Sequence, residues 1–288
     1  MSNILVTGSG GQLGSEIQVL SAKHPDSFIF TTKNDLDITD KDAIQKLVEE
    51  KKVHTIINCA AYTAVDKAEA EEDAAEKINV QGITNLVQAA KDNHCKLIHI
   101  STDYVFDGKH YKPYAEEDRT NPNGIYGKTK LEGEKAIMAA SSKNTIIIRT
   151  SWVYSSFGNN FVKTMLALGE NKERLTVIND QVGTPTYARD LAKVILDIIP
   201  QLENDKPEIY HYSNEGVLSW YDFAKEIMRM AKLDCHIEPI ATKDYPTAAK
   251  RPHFSLLDKS KIKKKFNIEV PFWKDSLDRC LTTMGERK

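Results

Sequence analysis

The sequence predicts an α/β protein in which a doubly wound parallel sheet carries helices on both faces and a smaller lobe follows toward the C-terminus. Three observations lead there. Short β-branched or apolar runs alternate with stretches of helical period through the first half of the chain. The runs are apolar throughout rather than at every second residue, as expected of strands covered on both faces. The first of them leads directly into a glycine-rich turn that opens a helix.

In chain order, the strand-forming runs are Ile4-Leu5-Val6, Phe28-Ile29-Phe30, Thr55-Ile56-Ile57, Leu97-Ile98-His99-Ile100 and Thr145-Ile146-Ile147-Ile148. Between them, Ile78 to Ala90 and Lys128 to Met138 space their apolar residues at a period near 3.6. After Thr150 the rhythm breaks into a region richer in Trp and Pro, with Asn159-Asn160-Phe161, Gly183-Thr184-Pro185-Thr186 and Arg251-Pro252. A helix over Ala188 to Ile199 and a strand at Ile209-Tyr210-His211-Tyr212 predict a return to the sheet. Residues 1–150 plus about 184–213 are therefore expected to form the sheet domain, and residues 151–183 plus about 214–288 the smaller, substrate-covering lobe.

With 288 residues and 41% hydrophobic content the chain can bury a substantial core. A net charge of -2, from 39 basic and 41 acidic residues spread along the chain, leaves no electrostatic footprint for nucleic acid or an anionic membrane. The basic cluster Lys259 to Lys265 reads as a solvated helix face. Met1-Ser2-Asn3 runs into the first strand without a basic flank or small-residue cleavage site, so no signal peptide is expected. No apolar stretch reaches the ~18 residues of a membrane span. The four cysteines, Cys59, Cys95, Cys235 and Cys280, stand far apart, which argues against a zinc site or a disulfide framework and for free thiols in a reducing cytoplasm.

The turn after the first strand is Gly8-Ser9-Gly10-Gly11-Gln12-Leu13-Gly14. A dinucleotide pyrophosphate needs backbone without side chains at close approach and a helix N-terminus whose free N–H groups face the anion, and Gly8, Gly11 and Gly14 have that spacing. Placed at the first strand of a βα repeat, the turn predicts a Rossmann-type dinucleotide site. A carboxylate at the end of the second strand would bond the ribose 2'-hydroxyl and repel a 2'-phosphate. Here the tip reads Thr31-Thr32-Lys33-Asn34, hydroxyls and a cation, which predicts NADPH; Asp35 nearby leaves NADH open.

Tyr126 and Lys130 stand four residues apart and so share one helix face; among 11 tyrosines the spacing recurs at Tyr221 and Lys225. The first pair follows the fourth βα unit, where its helix flanks the sheet edge at which open α/β proteins bind ligands. The second pair sits on a later helix beginning after Ser219, whose Phe223, Ile227 and Met230 assign it to packing. Hydride reduction of a ketone needs a proton for the new alkoxide, and a phenol with a pKa of ~10 is poorly matched to that task. A cation about 5 Å away at an effective dielectric of ~20 would favour the phenolate by roughly 3 kcal/mol. Ser101-Thr102-Asp103-Tyr104 supplies a hydroxyl, on Thr102, for the same carbonyl oxygen.

With these motifs in this order the chain resembles the extended short-chain dehydrogenase/reductases. Cys59-Ala60-Ala61-Tyr62-Thr63-Ala64-Val65-Asp66-Lys67-Ala68-Glu69, Ser101 to Gly108, Arg149-Thr150-Ser151-Trp152-Val153-Tyr154 and Gly158-Asn159-Asn160-Phe161 narrow the resemblance to the dTDP-4-dehydrorhamnose reductases. That resemblance implies hydride transfer from NAD(P)H to C4 of dTDP-4-dehydro-L-rhamnose, the last step in making dTDP-L-rhamnose, with Thr102, Tyr126 and Lys130 catalytic and Lys130 also on the nicotinamide ribose. It implies Gly11, Gln12 and Leu13 at the pyrophosphate, Asp37 and Ile38 on the adenine side, and Ala61, Tyr62 and Thr63 along the middle of the cofactor. Thr102, Asp103 and Trp152 would meet the sugar, and Asn160 and Arg251 the nucleotide or its diphosphate, onto which an arginine can fork.

Some bacterial members of that group hold Mg²⁺ between two subunits through several glutamates. Glu16 matches one of these, but Arg189 falls where another is expected, so no metal is predicted and the protein is expected as a monomer or homodimer. The related dehydratases need an acid pair after the threonine, and Tyr104 follows Asp103 here, which disfavours elimination. The alternative of a different class is a non-catalytic NADP-binding subunit, since the regulatory β subunit of methionine adenosyltransferase has a similar sequence.

Overall fold

The computed structural model describes residues 2–285; Met1 of the N-terminal reading and residues 286–288 of the C-terminal segment lie outside the described residues. The chain runs β1 (Asn3–Thr7), α1 (Gln12–Ser21), β2 (Ser27–Thr31), α2 (Lys41–Glu50), β3 (Val53–Asn58), α3 (Ile83–Asp92), β4 (Lys96–Thr102), α4 (Ile125–Ala140) and β5 (Thr145–Thr150). It continues with α5 (Phe161–Asn171), α6 (Ala188–Ile198), β6 (Glu208–His211), α7 (Trp220–Ala231), α8 (Ser260–Phe266) and α9 (Trp273–Met284), with further strands outside this sheet, short helices and turns between. All five predicted strands form, and β6 adds a sixth where the sequence returns to the sheet. The order is β6-β5-β4-β3-β1-β2 with every pairing parallel.

Alternate residues of each strand serve opposite faces. Ile4, Val6, Ile57, Ile98, Ile146 and Ile148 pack with Ile17 of α1 and Leu191, Ile195 and Ile198 of α6. Leu5, Ile56, Leu97 and Ile147 pack with Ile44 and Val48 of α2, Leu86 and Val87 of α3, and Ile137 of α4. Because both faces are covered, the strands carry no polar alternation. A further cluster beyond the sheet joins Tyr154, Val162, Tyr187, Phe223, Ile227, Trp273 and Leu277. No helix among the described residues is long and apolar enough to cross a membrane.

The stretch expected as one helix from Ile78 begins instead as a π-helical segment, Lys77–Gly82, that continues into α3. The wider turn aims Asn79 inward, where its Oδ1 accepts from Tyr62 N–H (3.0 Å) and its Nδ2 donates to Tyr62 O (3.2 Å) and Thr129 Oγ1 (3.2 Å). Asn79 therefore ties the loop after β3 to helix α4.

Helix α4 is held to the sheet by a buried ion pair. Glu134 accepts from Arg149 Nε (3.0 Å) and Nη2 (2.7 Å), and from the Ser101 hydroxyl, with both charged side chains almost fully buried. Removing one partner strands the other charge without solvent, at a cost of about 3–5 kcal/mol. Arg149→Met should therefore lower the urea-unfolding free energy by about that amount; a loss below about 1 kcal/mol, the scale of an exposed pair, would show that water reaches Glu134.

Candidate active site

The strand order reverses between β1 and β3, so the loops leaving those strands diverge and leave a crevice at the C-terminal edge of the sheet. A cleft of about 920 Å³ opens there. At one end Gly8, Gly11, Gln12, Leu13 and Gly14 line it. Gly8 has φ +66°, and a Cβ on it would lie 2.6 Å from Ala60 N, so only glycine lets the turn after β1 meet the loop after β3. Gly11 caps α1 with no side-chain hydrogen bond, which leaves the helix N-terminus open to an anion.

Lys33, Asp37 and Ile38 line the same end, with Ala61 and Thr63 farther along. The β2 tip differs from expectation in one residue. Thr31 is turned inward with its hydroxyl donating to Val6 O (3.3 Å), and Thr32 lines the cleft in its place, because side chains alternate along the strand. Asp35 is not directed at a ribose: its carboxylate accepts from Thr32 N (2.8 Å) and Oγ1 (2.7 Å), and these bonds hold its pKa below the usual carboxylate range. Asp37 is bound likewise by Thr39, which lowers its pKa, and Lys33 and the unanticipated cleft residue Lys77 add to that lowering. The tip thus offers two cations and a hydroxyl.

Thr102, Asp103, Tyr126, Lys130 and Trp152 line the other end. Thr102 ends β4; its hydroxyl donates to Asp103 Oδ1 (3.1 Å), accepts from Tyr104 N (3.2 Å) and lies within hydrogen-bonding reach of the Tyr126 phenol. Helix α4 approaches so closely that a Cβ on Gly127 would stand 2.2 Å from Tyr104 O. Loss of hydration pushes the Tyr126 phenol up to about 12, opposed by the Thr102 bond and reinforced by the charge of Asp103. The expected lowering by Lys130 is not met in this arrangement, because Lys130 Nζ turns toward Ile100 O (2.7 Å) and His99 Nε2 (3.3 Å). Burial also brings the Lys130 amine down to about 8.

Trp152 has φ +47°, an uncommon conformation for a bulky residue, and its ring stacks on Trp220 at 3.7 Å and 14°. The Trp152 ring lines the cleft, and Trp220 backs it. The second tyrosine and lysine lie elsewhere: Lys225 Nζ sits over its own partner's ring, 5.5 Å from the Tyr221 centroid, outside the cleft.

Three expected contacts do not reach the cleft. Tyr62 directs its hydroxyl to Glu71 Oε2 (2.7 Å). Asn160 is the N-cap of α5; its Oδ1 accepts from Lys163 N and its Nδ2 donates to Ser155 O (2.7 Å) and Gln12 Oε1 (3.1 Å), while Asn159 lines the cleft instead. Arg251 forks onto Asp66 (2.6 and 3.1 Å), beside the lining residue Val65. An N-cap reading of Asn160 was available from its place before Phe161. The pairing of Arg251 with Asp66, 185 positions apart, had no local signal.

Glu16 is fully buried, with Oε2 bound to Arg189 Nε (2.7 Å) and Oε1 to Ser155 Oγ (2.6 Å). Both oxygens are engaged and the expected second carboxylate is a cation, so these residues do not fit a divalent ion; among the described residues no cluster of three or more His, Cys, Asp or Glu side chains could hold one.

A parallel sheet crossed at its switch point by a glycine loop and a Tyr-x-x-x-Lys helix defines a dinucleotide-binding protein of the extended short-chain dehydrogenase/reductase type. Residues 1–286 match the RmlD substrate binding domain family, to which this chain belongs. The chain is 42% identical to the dTDP-4-dehydrorhamnose reductase of Aggregatibacter actinomycetemcomitans, over 96% of this chain and 97% of that one. The crystal structure of a dTDP-4-dehydrorhamnose reductase from Clostridium acetobutylicum superposes with a TM-score of 0.93 at 43% identity, over 98% of this chain and 99% of that one. The enzyme of that name from Bacillus anthracis, solved in complex with NADP, gives a TM-score of 0.94 at 37% identity, over 98% of this chain and 100% of that one.

Asp103 is 2% exposed and its Oδ2 has no hydrogen-bond partner; loss of hydration pushes its carboxyl up to about 7. Between the unfolded carboxyl's pKa of about 3.9 and this value the folded state binds the extra proton, so the stabilisation, fully present below about 4, is lost as pH rises through 7. Asp103→Asn removes this linkage. Its melting temperature should exceed the wild type's by more at pH 8 than at pH 4.5; an offset that does not change with pH would show Asp103 to be well solvated.

Proposed function

We propose that this protein reduces the C4 keto group of dTDP-4-dehydro-L-rhamnose to dTDP-L-rhamnose with NADPH, the closing step of dTDP-rhamnose biosynthesis. The observation that carries the reading is the meeting of Thr102, Tyr126 and Lys130 on one wall of a cleft whose far end is a glycine loop at an open helix N-terminus.

Bound NADPH would supply the hydride. The loop Gly8 to Gly14 would hold its pyrophosphate on backbone N–H groups, and Thr32, Lys33 and Lys77 would receive the 2'-phosphate. Lys130 would bond the nicotinamide ribose. Thr102 and Tyr126 would both point at the ketone oxygen, and Tyr126, protonated at neutral pH, would give its proton to the alkoxide as it forms. Asp103 would accept from a sugar hydroxyl, which would give Oδ2 the partner it lacks. The Trp152 ring, backed by Trp220, would bound the deoxysugar's apolar side, and residues 151–183 and 214–288 would make up the substrate lobe, in which Arg251 would reach the nucleotide by leaving Asp66.

The direct test is NADPH oxidation, followed by absorbance, with a panel of dTDP- and UDP-linked 4-ketosugars. The dTDP-linked 4-dehydro-6-deoxyhexose should turn over fastest, and no turnover with any ketosugar would leave a non-catalytic binder. The two tyrosines give an internal control: Tyr126→Phe should lower kcat by roughly 10²- to 10⁴-fold with little change in cofactor affinity, whereas Tyr221→Phe should leave it nearly unchanged. Equal losses at both positions would refute the assignment. Lys33→Asp should shift kcat/KM toward NADH; a wild type that already prefers NADH would overturn the reading of the β2 tip.

A further inference from the structure

Behind the cleft wall a chain of buried polar groups ends at Lys130. The Thr7 hydroxyl donates to Asn58 Oδ1 (2.6 Å), which also accepts from Ala60 N–H (3.1 Å). A backbone N–H only donates, so that side of the Asn58 amide must be its oxygen and the other side its NH₂. Asn58 Nδ2 stands 2.9 Å from His99 Nδ1, its cross-strand neighbour in the β3–β4 register. An NH₂ also only donates, so His99 Nδ1 must be the accepting nitrogen and the ring hydrogen must sit on Nε2. Nε2 faces Lys130 Nζ at 3.3 Å, and Nζ donates to Ile100 O at 2.7 Å.

An ammonium has three donors and no lone pair, so it would meet the Nε2–H donor to donor. A neutral amine has the lone pair that Nε2–H needs, and keeps one hydrogen for Ile100 O and one for the cleft. The geometry points to His99 as a positioning residue for Lys130: locked by Asn58 with its hydrogen on Nε2, the imidazole favours the neutral form of the amine. Two further observations agree. Burial holds His99 well below its ordinary pKa, so the ring stays neutral, and the Lys130 amine is itself lowered. Glu134, one turn along α4, pulls the other way, but Arg149 and Ser101 already engage its oxygens. The cleft-side groups near α4 are Tyr126, neutral below about 12, and Asp103, a carboxylate above about 7 that bears on Tyr126.

Resting on the proposed reductase reading, this assigns the alkaline limb of the pH profile to Lys130. Its ammonium would hold the nicotinamide ribose by a charge-assisted hydrogen bond stronger than the neutral amine's, so kcat/KM falls as pH rises through the lysine's lowered pKa, and His99 sets where that happens. Asn58→Asp is nearly isosteric and puts an acceptor opposite His99 Nδ1, which moves the hydrogen to Nδ1 and turns Nε2 into an acceptor for the ammonium.

Nitrogen-15 NMR of ring-labelled histidine should find His99 in the Nε2–H form in the wild type and the Nδ1–H form in Asn58→Asp. The alkaline limb of kcat/KM should move up by about one pH unit or more in that variant. The new carboxylate could also act by its charge alone, so the double variant Asn58→Asp/His99→Phe decides: a tautomer effect disappears there and a charge effect persists. An Nδ1–H ring in the wild type, or a shift that persists in the double variant, would overturn the proposal. If no ketosugar is reduced, the reductase reading fails separately. The titration of Lys130, followed by carbon-13 NMR of its ε-carbon and assigned by its loss in Lys130→Met, then replaces the pH profile with the same expected shifts.

Discussion

The buried carboxylate of Glu134 fixes where the reacting groups stand. It receives Ser101 at the end of β4 and Arg149 at the end of β5, and so seats α4 across two neighbouring strands. Lys130 and Tyr126 are carried on that helix one and two turns earlier, so their distance to Thr102 follows from this seating. Asn79 makes the complementary tie, from the π-helical segment to Thr129 of the same helix. A helix held at Thr129 and at Glu134 by buried polar contacts to two different elements has little freedom to tilt, which a site needing hydroxyl groups at hydrogen-bond distance requires.

Polar groups near the cleft are held in states that bulk water would not favour: a carboxyl raised to about 7 at Asp103, a phenol raised to about 12 at Tyr126, an amine lowered to about 8 at Lys130. The shared cause is burial in a crevice between diverging loops, where charge must be answered by a ligand or a neighbour. Away from the reacting end the same economy is met inside the protein: Arg189 answers Glu16, and Asp35 is closed by Thr32. Those two pairings bear on the cofactor and metal questions, since one removes a carboxylate from the ribose-binding tip and the other replaces a ligand set with an ion pair.

Much of this was legible in the sequence. The strands were visible because a parallel sheet covered on both faces demands uninterrupted β-branched runs, as in Thr145 to Ile148, and the glycine turn because the close approach of Gly8 to Ala60 admits no side chain. Tyr126 and Lys130 were visible because helical period puts them on one face. The misses share a cause, which is that side-chain direction and long-range pairing leave no local trace. Thr31 and Thr32 differ only in strand phase. His99 reads as one more strand residue until the register sets it beside Asn58. Tyr62 and Arg251 are drawn to Glu71 and Asp66, partners that only the folded chain brings near.

In the proposed reaction, hydride passes from NADPH to C4 of a nucleotide-linked ketosugar in this cleft. Its most direct measurement uses NADPH carrying deuterium at the transferable position of the nicotinamide ring, with dTDP-4-dehydro-L-rhamnose as acceptor and NMR of the product. The expected product is a dTDP-6-deoxyhexose with one deuterium bonded to C4 and a hydroxyl hydrogen drawn from solvent. A product with no deuterium at C4, or a ketosugar recovered unchanged, would contradict it.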